Sequence, residues 1–402
     1  MTAKRGTILL LAAALAVDYA DRSVVGAVGP QLKAYFHIGN AGLGVVASAF
    51  AVTGALAAVP AGSLVDGRDR VRLLRLALLL WAVAMVAGGG AVYLWWLIAA
   101  RVVLGALAAV ARPAAASLIG DLYRTSERSR AMGAVDVGEL VGTGLGLLIA
   151  AAGATFLGWR GVFWILAAAG AVLALVARRV REPRRRRRSR HVPLVEAFRE
   201  VLRSRTIVVV IVANSVGYFF FAGVRTFAVT FAAKHYGVSE RVADLLVVLL
   251  GVGAIAGLLL GGRIGDRLAT SGPTSRRLVF AAGAFVAAVV LYAGALVVPS
   301  LALAMPLYIV GSGALTLATP VLDAIRIDVM PPDLWGRAEA VRTTTQVVLE
   351  AVAPLAFGLV ADALGGDGRG LQLAFLAVLP LLLGNGLILL LARGPLEREC
   401  RS

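Results

Sequence analysis

Residues 62–74 read GSLVDGRDRVRLL, and residues 261–268 read GGRIGDRL. Each is a short stretch of glycine and charge between two long apolar runs. Asp66 and Asp266 are 200 positions apart. A second pair of stretches repeats at a similar distance. GDLYRTSERSRAMG (120–133) is answered by IDVMPPDLWGRAEA (327–340), which puts Arg130 and Arg337 207 positions apart. Similar offsets at equivalent places in the hydropathy pattern imply that the chain is two copies of one ancestral half.

The apolar runs around these stretches set the solvent. The chain has 402 residues, 59% of them apolar, with a mean hydropathy of +0.86. Soluble domains hold about 45–50% apolar residues. Runs of about 20 apolar residues recur from end to end, the length that crosses ~30 Å of hydrocarbon. The pattern predicts an all-α polytopic membrane protein with twelve helices, near 7–33, 41–65, 71–93, 94–121, 127–154, 158–180, 206–233, 240–264, 276–298, 300–328, 336–363 and 370–393. The expected organisation is an N-terminal six-helix bundle (1–181), a basic linker (182–205), a C-terminal six-helix bundle (206–393) and a tail (394–402). In the linker, Val192, Leu194, Val195, Phe198, Val201 and Leu202 fall at helical spacing and predict a short interfacial amphipathic helix. Two such halves around a midplane site is the plan of many secondary transporters. The opening MTAKRGTILLLAAALA imitates a signal peptide, but no polar domain follows it, so cleavage is not expected.

The net charge is +17, and the placement of the charge explains it. With both termini inside, thirty of the 40 Lys and Arg residues fall in the termini and inner connections, and five (Lys33, Arg160, Lys234, Arg241, Arg369) in outer ones. This bias assigns both ends to the cytoplasm. The run Arg184 to Arg188 reads as a topology determinant that touches anionic membrane lipid. It has no aromatic interleaving, so nucleic acid is not an expected partner. Arg outnumbers Lys 37 to 3 in an Ala-rich chain, the bias of a GC-rich bacterial genome, hence an inner membrane. The single cysteine, Cys400, allows no disulfide framework. No phosphate-binding loop, His-Glu-x-x-His or Ser-x-Gly elbow occurs, and His37, His191 and His235 are scattered. Neither ATP, a cofactor, a metal nor enzymatic chemistry is expected, and neither is a channel. A monomer is expected.

The charges inside the apolar runs carry the functional information. ILLLAAALAVDYADRSVVGAVGP (8–30) holds Asp18, Asp21 and Arg22 at its middle. At ~100° per residue they share about a third of the helix surface, and Asp18 and Arg22 are an i, i+4 pair. Such a face points into the bundle or a water-filled cavity. Two neighbouring carboxylates repel, so one is expected to hold a proton near neutral pH while Arg22 keeps the other ionised. Arg101 and Arg112 in the fourth helix are eleven residues apart, about three turns. A lipid-facing Arg costs ~2.5–3.5 kcal/mol or more, so both are expected inside. A fixed structural ion pair is the competing role for Arg101. Asp136, Glu139, Arg225, Asp323, Arg326 and Glu350 complete the set of buried charges, with Gln346 and Tyr218 within reach of a cavity. Phe219, Phe220 and Phe221 read as packing.

GSLVDGRDR resembles the loop between the second and third helices of the major facilitator superfamily, Gly-x-Leu-Ala-Asp-Arg-x-Gly-Arg. Gly62, Leu64, Asp66 and Arg70 match, and Gly67 and Asp69 depart from it. The second copy matches at Gly262, Asp266 and Arg267. RVVLGALAA (101–109) resembles the family's fourth-helix pattern at Arg101, Gly105 and Ala109. DYADRSVVGAVGPQLKAYFHI (18–38) is similar to the start of the spinster branch at Tyr19, Asp21, Arg22, Pro30, Phe36 and Ile38. LIGDLYRTSERSRAM, VGTGLG (141–146) and VMPPDLWGRA (329–338) continue that likeness. The anion-symporter branch shares the Asp-Arg start. Spinster proteins usually carry a Glu where this chain has Ala108, while Asp18 here replaces their Asn. An antiporter signature in the fifth helix is echoed by Gly138, Gly142, Gly144 and Gly146, with Thr143 in place of its Pro.

The resemblance implies a secondary active transporter working by alternating access. Protons and a small amphiphilic substrate, a lysophospholipid or sphingosine-like lipid, would be its partners. A multidrug exporter and an organic-anion symporter are the alternatives within transport; a non-transporting receptor or scaffold is a third. Proton coupling would rest on Asp18, Asp21, Arg22 and Arg101. The substrate would meet Arg112, Asp136, Glu139, Tyr218, Arg225, Arg326, Gln346 and Glu350. Gly62, Asp66, Arg70, Asp121, Asp266, Arg267 and Arg337 would form latches, each carboxylate resting against a helix N-terminus and Arg partners.

Overall fold

The computed structural model describes residues 3–38, 40–180, 182–183, 199, 201–271, 273, 275–365 and 368–393. The tail and most of the linker, including Arg184–Arg188 and nearly all of the expected amphipathic helix, lie outside the described residues. The protein is an all-α polytopic membrane protein. Among the described residues eleven helices are long and apolar enough to cross a membrane. The first helix differs from them in charge, not length: Ala3–Ala27 carries Asp18, Asp21 and Arg22.

The first helix is Ala3–Ala27 continued by Gly29–Phe36. Pro30 has no N–H for the carbonyl one turn back, and the chain breaks at Val28. The second is Asn40–Gly67 and the third Arg70–Gly89. Asp69 caps the third, accepting from Arg72 N at 2.7 Å, which explains the departure from the family loop pattern at that position. The fourth runs as Leu94–Ala108 and Ala111–Leu122. Pro113 removes the bond to the carbonyl of Ala109, so the helix breaks there. The fifth and sixth share the run Thr125–Ala177, and the break between them is Gly158 at φ 67°, ψ 176°, a conformation open essentially to glycine alone. The seventh to twelfth are Arg205–Tyr236, Glu240–Thr270, Ser275–Val297, Leu301–Val329, Trp335–Ala363 and Gly368–Leu391. The eighth outruns its expected end by six residues, so Asp266 sits inside a helix rather than in a loop. Asp66 likewise falls in the last turn of the second.

The chain packs into two compact units. One holds residues up to Arg124, Ala134–Arg199 and Pro331–Thr344; the other holds Thr125–Gly133, Glu200–Met330 and the chain from Thr345 onward. In the first unit the second helix packs on the fourth and the fifth on the first. Gly138, Gly142 and Gly146 lie against the backbones of Ala12, Ala16 and Ala20, where a Cβ would collide. Gly144 faces open space, so only three of the four glycines of the fifth-helix pattern work as a packing row. In the second unit the eighth and ninth helices pack on the tenth, and the ninth and seventh on the twelfth. Phe220 packs edge-on against Tyr292, Phe357 and Phe375 in that core, the packing role expected of it. Apolar side chains such as Leu148, Phe156, Leu355 and Leu391 are exposed, as a hydrocarbon surrounding requires.

Candidate functional site

The first unit encloses a ladder of ion pairs. Asp21, wholly buried, meets Arg101 Nη1 at 2.5 Å. Its second oxygen, Oδ2, has no hydrogen-bond partner. Arg101 also lies over the ring of Phe50, 4.5 Å from the centroid. One turn away, Arg22 Nη2 donates to Asp18 Oδ2 at 2.9 Å and stacks on Tyr19 and Phe50 at 4.7 and 5.2 Å. Arg101 is buried between these partners, whereas the Arg22 side chain stays 36% exposed beside Asp18.

Arg112 of the fourth helix reaches two carboxylates of the fifth, Asp136 at 2.7 Å and Glu139 at 2.5 Å. Asp136 and Glu139 are three residues apart, and both point at the one cation. The Tyr19 hydroxyl hydrogen-bonds Glu139, and the charges of Arg22 and Arg342 act on it as well. Arg342, in the part of the eleventh helix that belongs to this unit, forks onto Glu339 Oε1 through Nε at 2.9 Å and Nη2 at 2.7 Å. Glu339 and Arg342 are buried. They were missed in the sequence because they sit close to the basic stretch that begins the helix, where charge reads as solvated.

In the second unit Asp323 accepts from Arg326 Nη1 and Asn214 Nδ2, both at 2.9 Å. Gln346 Nε2 donates to Glu350 Oε1 at 2.7 Å, a turn apart on the eleventh helix. Tyr218 is half-buried, and Arg225 is exposed rather than joined to these groups. Of the expected substrate residues, Arg112 meets Asp136 and Glu139, and Gln346 meets Glu350, while Arg326 pairs with Asp323, a residue outside that set.

In each repeated stretch a carboxylate rests on backbone N–H groups of another helix. Asp66, buried, accepts from the backbone N–H groups of Gly336 at 2.8 Å and Arg337 at 3.1 Å. Arg337 Nε also donates to Ser63 Oγ at 3.2 Å, and Gly62 lies against the backbone of Gly336. These amides lie in the first turn of the eleventh helix. In the second unit Asp266 accepts from Arg130 N at 3.3 Å near the start of the fifth helix, with Arg130 Nε at 3.7 Å. Gly262 and Gly265 lie against Arg130 and Ser129 there. Arg267 is exposed and shares a polar hollow with Ser126, Arg130, Arg263 and Asp266.

Each unit also holds a clamp. Arg70 meets Asp121 at 2.5 Å and Glu182 at 2.6 Å, and Glu182 Oε2 accepts from Val71 N at 3.0 Å. Arg277 meets Asp328 at 2.6 Å, and Arg128 pairs with the other oxygen of Asp328. Arg70 to Arg277 and Asp121 to Asp328 are each 207 positions, the offset already visible between Arg130 and Arg337. That offset was the signal that finds the second clamp.

Repeated helical halves, matched carboxylate–amide contacts and buried charge are features that a membrane transporter built from two repeats would carry. The family model of the Major Facilitator Superfamily matches residues 11–231 and 215–401, and the chain belongs to that superfamily. The protein is thus a multi-pass transporter, in a family of carriers rather than enzymes. Its resemblance to the spinster branch is borne out by its relatives. Protein spinster of Drosophila melanogaster is 23% identical over 89% of this chain and 62% of its own length. Protein spinster homolog 1 of Homo sapiens is 24% identical over 87% of this chain and 71% of its own. The match to the probable L-galactonate transporter of Escherichia coli (strain K12), 26% identical, spans 42% of this chain and only 37% of that protein. Among solved structures, the bacterial homolog of the human lysosomal transporter spinster, inward-facing and unoccupied, shares the fold with a TM-score of 0.60 at 21% identity, over 100% of this chain and 98% of its own. The human organic anion transporter MFSD10 (TETRAN) shares it at 0.73 and 16% identity, over 96% and 99%.

Proposed function

We propose that this chain is a proton-coupled secondary transporter of the bacterial inner membrane, with both termini in the cytoplasm, moving an amphiphilic substrate by alternating access. The observation that carries the reading is Asp21: a carboxylate wholly buried against Arg101, with one oxygen left without a hydrogen-bond partner. Ionisable side chains inside a membrane are costly and mark ion and proton pathways. Asp18 and Arg22 stand beside it on the same helix and complete the coupling site. A proton that binds one state better than the other shifts the equilibrium between them. The latches at Asp66 and Asp266 engage in one state and release in the other.

The substrate is inferred from the spinster resemblance, which implies a lysophospholipid or a sphingosine-like lipid. Arg112 and Arg326 suit an anionic head. The second unit holds only a small apolar cavity of about 50 Å³, lined by residues such as Val224, Phe231, Leu250, Met305 and Phe375, so a hydrocarbon chain would need this site to widen. The test is uptake of a fluorescent lysophospholipid into proteoliposomes under an imposed pH gradient. Uptake that follows the gradient and is lost in Asp21→Asn supports the reading. Gradient-driven uptake that survives Asp21→Asn removes coupling from the first helix. No lipid uptake by correctly inserted protein turns the substrate reading toward small organic anions and drugs.

A further inference from the structure

We propose that the polar hollow of the second unit binds a phosphate group through Arg130, Arg263 and Arg267, and that the phosphate belongs to the headgroup of an anionic membrane lipid. The inference goes beyond the transport reading, since it concerns binding at equilibrium and needs neither a substrate nor a gradient.

The two copies of the repeated stretch differ where it matters for charge. At the offset of 200 that relates Asp66 to Asp266, Ser63 is answered by Arg263 and Gly67 by Arg267. In the first copy Ser63 Oγ accepts from Arg337 Nε at 3.2 Å, so that position serves the contact around Asp66. In the second copy both arginines are exposed, and neither side chain has an ion pair or hydrogen bond among the described residues. They are four residues apart on the eighth helix, hence neighbours on one face. Like charges at that spacing repel, and an anion shared between them relieves the repulsion.

The hollow has the size and the donors for that anion. It encloses about 330 Å³ and is lined by Ser126 and Arg130 from the fifth helix and by Arg263, Asp266 and Arg267 from the eighth. Both walls belong to the second unit. They are held together closely, with Gly262 against the backbone of Arg130 and Gly265 against Ser129. Asp266 and the nearby Glu127 offset part of the positive charge. Asp266, however, is turned to the backbone N–H groups of Arg130, at 3.3 Å, and Ser129. The Arg130 guanidinium stands 3.7 Å from Asp266 and is 63% exposed, which leaves donors open to a ligand. Guanidinium forks match the oxygens of a phosphate. The eighth helix ends at Thr270 and the fifth begins at Thr125, so the hollow lies at the ends of two membrane-crossing helices. Basic pockets between helices at that level take anionic lipid headgroups, which favours a lipid as the source.

Binding is read as stabilisation, because a ligand of the folded protein raises its unfolding midpoint. The full-length protein in detergent would be titrated separately with phosphatidylglycerol, phosphatidylcholine and inorganic phosphate, and thermal unfolding followed. The expected result is tighter binding of phosphatidylglycerol than of phosphatidylcholine. Arg263→Gln and Arg267→Gln should each weaken it roughly fivefold, and together roughly thirtyfold. Both side chains are exposed and unpaired, so these variants are expected to fold. Arg178→Gln with Arg179→Gln removes the same charge from an exposed pair just past the sixth helix and should leave the affinity unchanged. Equal weakening by the two double variants would make the attraction a diffuse surface effect and overturn the proposal. So would a protein that neither prefers phosphatidylglycerol nor binds inorganic phosphate. Stabilisation by inorganic phosphate that needs Arg263 and Arg267, without a preference for phosphatidylglycerol, would support the phosphate site and overturn its lipid source. None of these readouts depends on proton-driven uptake, so failure of the transport reading leaves this inference standing.

Discussion

At the scale of the residue, the protein is governed by what a charge needs when water is remote. Asp21 and Arg101 are both essentially inaccessible, so each is tolerable only because of the other. Removing one partner leaves an uncompensated buried charge, which typically costs about 3–5 kcal/mol. Asp21→Asn is therefore expected to lower the unfolding midpoint in detergent sharply. Asp21→Asn with Arg101→Gln should recover part of the loss, since a neutral pair strands no charge. A double variant no better than the single one would show that the two residues do not act as a pair. Asp66 follows a related logic. It lies at the C-terminal end of its own helix, where the dipole disfavours an anion. The Gly336 and Arg337 amides offset that, so the carboxylate is stabilised by these two hydrogen bonds. The motif around Asp66 and the face shared by Asp18, Asp21 and Arg22 were legible in the sequence. Arg22 as the partner of Asp18 was legible too, one turn away; the partners across helices, Arg101 for Asp21 and the Gly336 and Arg337 amides for Asp66, were not, because a motif names a residue type and a spacing but not what lies across the gap.

At the scale of the element, close approach and helix breaks decide where those side chains point. Glu139 and Asp136 reach Arg112 because the fifth helix lies backbone to backbone on the first through Gly138, Gly142 and Gly146. Gly142→Val puts a side chain into the Ala16 backbone and is expected to abolish a monodisperse size-exclusion peak. Gly144→Ala, two residues on but facing open space, should stay within about 0.5 kcal/mol of the parent. Equal damage from both would remove the packing row as the explanation. Gly158→Ala should cost about 1–3 kcal/mol, because φ near +67° with extended ψ excludes a Cβ. Most helix limits were legible in the sequence, but the break between Arg101 and Arg112 was not. Counting eleven residues as three turns assumes a continuous helix, and Pro113 interrupts it. Both arginines still face inward, onto different acids, since the break changes phase while the cost of lipid exposure does not.

At the scale of the whole molecule, duplication has been kept in plan and varied in charge. The clamp of the first unit gives one cation two anions, Arg70 with Asp121 and Glu182; that of the second gives one anion two cations, Asp328 with Arg277 and Arg128. The lone member of each clamp is the one that cannot be spared. Arg70→Gln and Asp328→Asn are each expected to destabilise by about 3–5 kcal/mol, while Asp121→Asn, Arg277→Gln and Arg128→Gln cost clearly less. Thermal unfolding of the five variants checks this, and a reversed order in either unit would refute the shared-partner argument.

What the sequence by itself determined is the part of the protein that is one-dimensional. Twelve apolar runs, their lengths, the charge bias of their connections and the repeat at 200 to 207 residues all lie along the chain, and the superfamily follows from them. The tertiary structure decided the pairing. Asp21 finds Arg101 across 80 residues and Asp66 finds Arg337 across 271. It also drew Glu339, Arg342, Arg277, Asp328 and Glu182 out of stretches that read as solvated surface. Burial depends on which helix covers which, and the charges at a helix end look alike in sequence whether they meet water or another helix.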